Sequence, residues 1–318
     1  MNGKNIAIVG GSGFVGTVIA ERLSSQGNSV SIVTRSRERS RHLWPLPNAR
    51  VVETNVFDPK QLGDVFDGVD TVINLVGILN ERKDNGEGFH RAHVALTEEL
   101  LNACTRNNVH RYLHMSALNA DSFAPSYYLR TKGEAENKVL AAGDRGIDVT
   151  IFRPSVIFGR GDGLFNRFHQ LLKLGPVLPL ACAGTRFQPV YVGDVATAFI
   201  DSINNKATVG RKYDLGGPDV VTLKEIVDYV NELAELKRII VPLGSGLSKI
   251  QAGIFEHVPG KPFSKDNLRS ASEDSVITNE NGLNLLGISP TSFRTVVPKY
   301  ILGDARHHYN ALRSDAKR

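Results

Sequence analysis

The chain has 318 residues, 41% of them hydrophobic and 22% charged, and a formal net charge of +5. That is the composition of a soluble globular protein, long enough for one large domain or two of moderate size with a sizeable core. The positive charge is dispersed, apart from the run Arg35 to Arg41, and only 7% of the residues are aromatic, which argues against nucleic acid as a partner, because that role wants a basic patch interleaved with stacking rings.

Asn5 to Val9 is a short unbroken apolar run, the pattern of a central parallel strand buried on both faces. Gly10-Gly11-Ser12-Gly13-Phe14-Val15-Gly16 follows it, and a helical pattern (Val15, Val18, Ile19, Leu23) then runs to a stop at Gln26-Gly27-Asn28. Further strands are expected at 29–33, 51–53, 71–76, 112–115 and 149–152, with helices between them that include 61–66 and 92–107. This alternation predicts an α/β fold with a Rossmann-type doubly wound parallel sheet. Prolines then become dense, and a smaller C-terminal α/β substrate-side region is expected. The predicted division is residues 1–160 for nucleotide binding, 161–303 for the smaller region interleaved with the last sheet strands, and 304–318 for a polar tail.

A strand, a Gly11-x-Gly13-x-x-Gly16 turn and a helix in succession make a dinucleotide site. Gly10, Gly11, Gly13 and Gly16 permit a tight turn and close helix packing, and they let a pyrophosphate approach bare main chain. The N–H groups of Ser12, Phe14 and Val15 face the anion at the positive end of the helix dipole. No carboxylate stands at the end of the second strand, where one would hold the ribose hydroxyls of NAD. Arg35 and Arg37 stand there instead, and a guanidinium suits a 2′-phosphate, so NADP(H) is favoured over NAD(H). Asn55 and Val56 after the third strand are placed beside the adenine, and Leu75, Val76 and Gly77 after the fourth let the cofactor pass close to the sheet.

Ser116 ends the fifth strand, and Tyr128 and Lys132 are four apart on a helical stretch, hence on one face. A phenol needs a nearby cation to serve as a base near neutral pH, which Lys132 supplies. Ser116 would hydrogen-bond a carbonyl or hydroxyl. Together with the glycine turn, these residues resemble the short-chain dehydrogenase/reductase superfamily in its extended or atypical branch. Arg153-Pro154-Ser155-Val156-Ile157-Phe158-Gly159 and Gln188 to Ala196 resemble that branch's later motifs. The likeness implies catalytic roles for Ser116, Tyr128 and Lys132, with Lys132 on the nicotinamide ribose, and cofactor contacts from Pro154, Ser155, Val156 and Ile157. The phrases Val72 to Gly77, Ser116 to Ala120, Tyr128-Leu129-Arg130-x-Lys132 and Ile157 to Asp162 are most similar to the subfamily holding the nucleotide-binding accessory subunit of respiratory complex I and its bacterial relatives.

That resemblance implies a nucleotide held structurally, at a membrane-associated respiratory or quinone-related complex. The alternative is an active NADP-dependent reductase, dehydrogenase or epimerase on a carbonyl or nucleotide-sugar-like substrate. The interval from Ser116 to Tyr128 is shorter than extended enzymes show, so binding is better supported than turnover. Cys104 and Cys182 form no CxxC pair or disulfide framework and are expected to be inert thiols in a reducing compartment. His90 and His93 lie one helical turn apart without a third ligand at metal spacing, so no metal is expected. Asp194 is expected to fix a loop or cap a helix, while Arg186 is left between an anionic-substrate contact and a surface arginine. No signal peptide is expected before a first strand so near Met1, and no apolar run reaches the ~18 residues of a membrane span. The expected location is cytoplasmic, or peripheral to the inner face of the membrane. The apolar stripe Leu247, Ile250, Ile254, Phe255 and Val258 is expected to pack on its own domain, a partner or membrane surface being the other reading.

Overall fold

A computed structural model describes residues 3–244, 246 and 264–303. The stripe at 247–258 and the tail at 304–318 lie outside the described residues.

The first half of the chain builds a sheet from β1 (Asn5–Val9), β2 (Ser29–Thr34), β3 (Ala49–Glu53), β4 (Thr71–Asn74), β5 (Arg111–Met115) and β6 (Asp148–Pro154). Seven strands, all parallel, lie side by side in the order β3-β2-β1-β4-β5-β6 followed by Arg211–Leu215. This is the α/β arrangement expected from the alternation of elements. β4 is shorter than its apolar run suggests: Leu75 and Val76 lie beyond its end, where Leu75 N–H still donates to Val9 O at 2.9 Å. Strand order reverses between β1 and β4, and in open parallel sheets the crevice at the carboxyl ends of such a pair is where ligands bind.

Helices cross over between the strands. α1 (Phe14–Ser25) buries Val15, Gly16, Ile19, Ala20 and Leu23, and its chain turns back at Gly27, whose φ is +83°. α2 (Pro59–Phe66) is capped by Asp58, whose carboxylate accepts from the Lys60 and Gln61 N–H groups. α3 (Glu87–His90) continues through one π turn, Arg91–Ala95, into α4 (Leu96–Arg106). α5 (Tyr127–Ala141) is capped by Ser126, whose Oγ accepts from Leu129 N–H. Leu62, Phe66, Leu100, Leu101, Tyr112 and Ile151 are fully buried in the core on one side of the sheet. None of the described helices is long and apolar enough to cross a membrane.

The chain forms two compact units. Among the described residues, the sheet unit falls within 1–154, 195–215 and 281–288, and the second within 155–194, 216–280 and 289–318. Within the sheet unit, Arg111 is buried and donates to Asp148 O, Thr150 Oγ1, Ser202 O and Thr208 Oγ1, tying the late segment to the edge of the sheet. Glu136 is fully buried on α5, with Arg153 and Lys212 both on its carboxylate.

Among its described residues the second unit contains three two-stranded ribbons and the helices Phe165–Leu174, Leu223–Leu233, Lys265–Ser270 and Phe293–Ile301 around Phe158, Phe165, Ile226, Val230, Phe293 and Val297. Asp162 accepts from the N–H groups of Gly159, Leu164 and Asn166 and from the Tyr300 hydroxyl at 2.5 Å. Asp194 accepts from the Thr291 N–H and hydroxyl, which fixes that loop.

Candidate functional site

The glycine turn leaves β1 at the crevice. Gly10 has φ +83°, the left-handed region that favours glycine, and an added Cβ would sit 3.2 Å from the Leu75 carbonyl carbon and Val76 nitrogen. Gly16 lies under the turn, where a Cβ would fall 2.5 Å from Gly10 O and Gly11 Cα. Helix α1 therefore seats against main chain with no room for a side chain. Gly13 is exposed, and a Cβ there would meet only Gly10 O, at 3.2 Å.

Gly13 occupies the N-cap of α1, no side chain caps the first turn, and no acidic residue stands in it. The side-chain caps of α2 and α5 make the contrast. An uncapped turn beside bare main chain presents N–H donors and a positive partial charge to an anion. Ser12 Oγ donates to Thr34 Oγ1 at 3.3 Å, Phe14 is half-buried, and Val15 is buried in the sheet unit's core.

The turn after β2 carries the arginines. Arg35 is exposed and makes no ion pair or side-chain hydrogen bond among the described residues. Arg37 is committed: its N–H donates to Glu53 at 2.8 Å and its guanidinium lies 5.3 Å from the centre of the Trp44 ring. Glu53 comes from the neighbouring strand, so its carboxylate reaches this turn without any signal in the spacing that follows the glycines. Asn55 is exposed, its N–H donating to Gln61 and its Oδ1 accepting from Phe57 N–H, while Val56 packs on the core.

Across the crevice, Lys132 is buried, and its ammonium donates to Met115 O at 2.9 Å and Val76 O at 3.2 Å. A Cβ on Gly77 would lie 3.3 Å from that nitrogen, so glycine leaves the approach to it open. Burial lowers the ammonium to about 8, against partial support from Glu136 one turn along. Tyr128 is half-buried, edge-on to Phe89 and His93, and burial pushes its phenol up to about 12. Ser116 is 3% exposed, and its Oγ has no hydrogen-bond partner among the described residues. Such an orphan, beside an ammonium, fits the contact face of a ligand.

A buried polar layer lies beneath these residues; Asn74 and His114 were not among the sequence candidates, and His93 was weighed there only as a metal ligand. Asn74 Nδ2 donates to Tyr112 Oη at 3.0 Å and reaches Thr97 Oγ1 and His114 Nδ1, while its Oδ1 accepts from Val76 N–H. His93 Nε2 accepts from Ile78 N–H at 3.2 Å, so its Nδ1 carries the proton and donates to Thr131 Oγ1 at 2.8 Å. Both histidines titrate well below the usual range because burial and the Lys132 charge disfavour protonation. With both ring nitrogens bonded inside the protein, His93 serves the structure, and His90 is exposed.

The four remaining residues of the predicted cofactor set fall into both units. Pro154 ends β6 and its O accepts from Leu118 N–H. In the second unit, Ser155 Oγ donates to Ser275 O at 2.7 Å, Val156 O accepts from Val190 N–H, and Ile157 pairs with Val190. Arg186 forms an exposed ion pair with Asp274, its Nε and Nη2 both on Oδ2. Cys104 is buried, and burial pushes its thiol up, so it is inert; Cys182 is half-buried.

Comparison with known proteins agrees with the fold. The profile of the NAD dependent epimerase/dehydratase family matches residues 6–216. The chain is 30% identical over 295 residues to the mitochondrial NADH dehydrogenase [ubiquinone] 1 alpha subcomplex subunit 9 of Arabidopsis thaliana, covering 88% of this chain and 72% of that protein. It is 27% identical over 308 residues to the mitochondrial NADH-ubiquinone oxidoreductase 40 kDa subunit of Neurospora crassa, covering 95% of this chain and 80% of that one. Among solved structures, MoeE5 in complex with UDP-glucose and NAD shares the fold at a TM-score of 0.74 and 18% identity, covering 97% of this chain and 99% of the other.

Proposed function

The chain belongs to the NAD dependent epimerase/dehydratase family, and from that premise we propose that it is an NADP(H)-binding protein of the atypical short-chain dehydrogenase/reductase kind. It holds its nucleotide as a structural or redox-sensing ligand and associates peripherally with a respiratory or quinone-related membrane complex. The observation that carries the binding half is the uncapped first turn of α1 over Gly10, Gly11 and Gly16. The diphosphate rests on that turn, with the adenosine end toward Arg35 and the nicotinamide ribose toward Lys132. The free guanidinium of Arg35 supports a 2′-phosphate. Similarity to respiratory NADH dehydrogenase subunits over most of the chain supports the partner.

A second reading, an active reductase or epimerase on a carbonyl or nucleotide-sugar-like substrate, is favoured by Tyr128 and Lys132 four apart on α5 and by a buried Ser116 hydroxyl without a partner among the described residues. When bound, a reduced nicotinamide supplies the hydride equivalent. Tyr128 would give its proton to the substrate oxygen, Ser116 would hold that oxygen, and Lys132 would orient the ribose. A phenol held near 12 keeps its proton at neutral pH, which suits an acid, and needs added positive charge before it can act as a base.

The test is purification followed by identification of the bound nucleotide. The structural reading expects NADP(H) that co-purifies, exchanges slowly and is not oxidised by carbonyl compounds or quinones. Rapid exchange with turnover that collapses in Tyr128→Phe would transfer the assignment to the enzyme, and a chain that binds no dinucleotide would end both.

A further inference from the structure

We infer that His114 is a positioning residue, holding an ordered water against Ser116 Oγ and the Lys132 ammonium so that the Ser116 hydroxyl keeps its proton for a bound ligand. Side chains two apart on a strand share a face, so Tyr112, His114 and Ser116 form one row along β5 and its continuation. The first two rings are stacked, 6.2 Å between centroids and 15° apart in plane.

The neighbours of the His114 ring fix where its proton sits. Asn74 Oδ1 accepts from Val76 N–H at 3.1 Å, which turns the Asn74 amide nitrogen toward His114 Nδ1 at 3.4 Å. An amide nitrogen donates and does not accept, so this contact is a hydrogen bond only with Nδ1 as acceptor, and in the neutral ring the proton then belongs to Nε2. That Nε2–H finds no acceptor among the described residues, although His114 is only 1% exposed, and Ser116 Oγ is likewise without a partner among them. Leaving each group unbonded forfeits its hydration with nothing in return.

Lys132 reaches the main chain between the two. Its ammonium bonds the carbonyl of Met115, the residue between His114 and Ser116, and among the described residues its other bond goes to Val76 O. One of its three N–H groups is left over. A water accepting from His114 Nε2–H and from that third N–H, and donating to Ser116 Oγ, makes three bonds, the usual number for a buried water. Ser116 then accepts from below, and its own hydrogen turns outward as a donor to a carbonyl or amide oxygen. The outward role rests on the proposed nucleotide site; the tautomer and the water do not.

Two measurements on the unaltered protein decide the inference. Long-range 1H–15N correlation spectra are expected to show His114 as the Nε2–H tautomer, and the Nδ1–H tautomer would overturn it. A crystal structure with NADPH at a resolution that shows waters is expected to place one within hydrogen-bond reach of both His114 Nε2 and Ser116 Oγ. A Ser116 hydroxyl bonded directly to main chain, or no water there, would refute it. His114→Phe should lose that water and turn the Ser116 rotamer, whereas His114→Gln, which keeps an N–H at similar reach, should retain both; equal behaviour of the two variants would also refute it. If the water and tautomer are found but NADPH does not bind, the nucleotide reading fails and the positioning of Ser116 stands.

Discussion

Gly16 lies so close under Gly10 that an added Cβ would come within 2.5 Å of the Gly10 carbonyl oxygen. Backbone atoms cannot yield to that contact without moving the turn, so Gly16→Ala should lose about 3 kcal/mol, the upper range for overpacking. At Gly13 the only neighbour would be 3.2 Å away and the position is exposed. Gly13→Ala should cost under about 1 kcal/mol, as at other N-caps, yet lower nucleotide affinity at least about tenfold. Denaturation curves and nucleotide titrations on the two variants check this. A folded Gly13→Ala with unaltered affinity would remove the diphosphate from the turn.

Arg35 and Arg37 differ in commitment, and cofactor choice should follow that difference. A charge-assisted hydrogen bond is worth about 1.5–3 kcal/mol, so Arg35→Asp should weaken NADPH about ten- to a hundredfold and leave NADH little changed. Arg37→Ala should act more on stability, by about 0.5–1 kcal/mol through its lost place over Trp44. Competitive binding of the two nucleotides measures the ratio. An NADPH preference that survives Arg35→Asp would refute the assignment.

Lys132 gives alkaline stability a sign. Its folded value is about 8 against an ordinary 10.5, so the unfolded chain holds the proton more tightly. The penalty for burying the charge is complete below pH 8 and gone above pH 10.5, and at about 1.4 kcal/mol per pKa unit it amounts to about 3 kcal/mol. Tyr128 works in the opposite direction above pH 10, because its folded value is raised. Comparing wild type with Lys132→Met isolates the lysine: the difference should move in favour of wild type between pH 8 and 10.5. A difference independent of pH would contradict the buried ammonium.

His93 and His114 set the acid limb. Both are held neutral in the fold, with values well below 6.5, so the unfolded chain takes up protons that the folded chain refuses. Stability should therefore fall as pH drops below 6.5, each histidine adding up to about 1.4 kcal/mol per pH unit. Urea denaturation at pH 7.5, 6.5 and 5.5 gives the slope, and His93→Gln should reduce it by about half. A flat profile to pH 5.5 would mean that the rings protonate in place.

Glu136 faces two cations while fully buried. Glu136→Ala leaves Arg153 and Lys212 without their carboxylate, and breaking a buried pair in this way costs about 3–5 kcal/mol. A loss of under 1 kcal/mol, read by chemical denaturation, would show that solvent reaches the site.

The sheet was legible because its signals are local. The apolar run of Asn5 to Val9, the glycines after it and the stop at Gly27 each carry their own geometry, and the parallel order follows from strands alternating with helices. Lys132 and Tyr128 could be paired from their spacing. Asn74, His93 and His114 could not be found that way, because a polar residue on a strand or helix has no period and its partners come from other elements. The role of Glu53 was hidden for the same reason: it reaches the β2 turn by pairing of strands, not by distance along the chain. The shortening of β4 depends on where the main chain must leave the sheet, which an apolar run at 71–76 does not mark.

The sheet unit closes with a piece of chain made much later than the rest. The outer edge of β6 pairs with the strand Arg211–Leu215, and Gly282 then packs so tightly on that strand that a Cβ would lie 2.8 Å from Asp214 O. On a ribosome adding about 5–20 residues per second, six strands are complete while the seventh is still seconds from emerging. Throughout that interval the nascent protein carries an open, adhesive border. Translation pace and chaperone supply, more than the final free energy, should then govern how much of it is recovered intact.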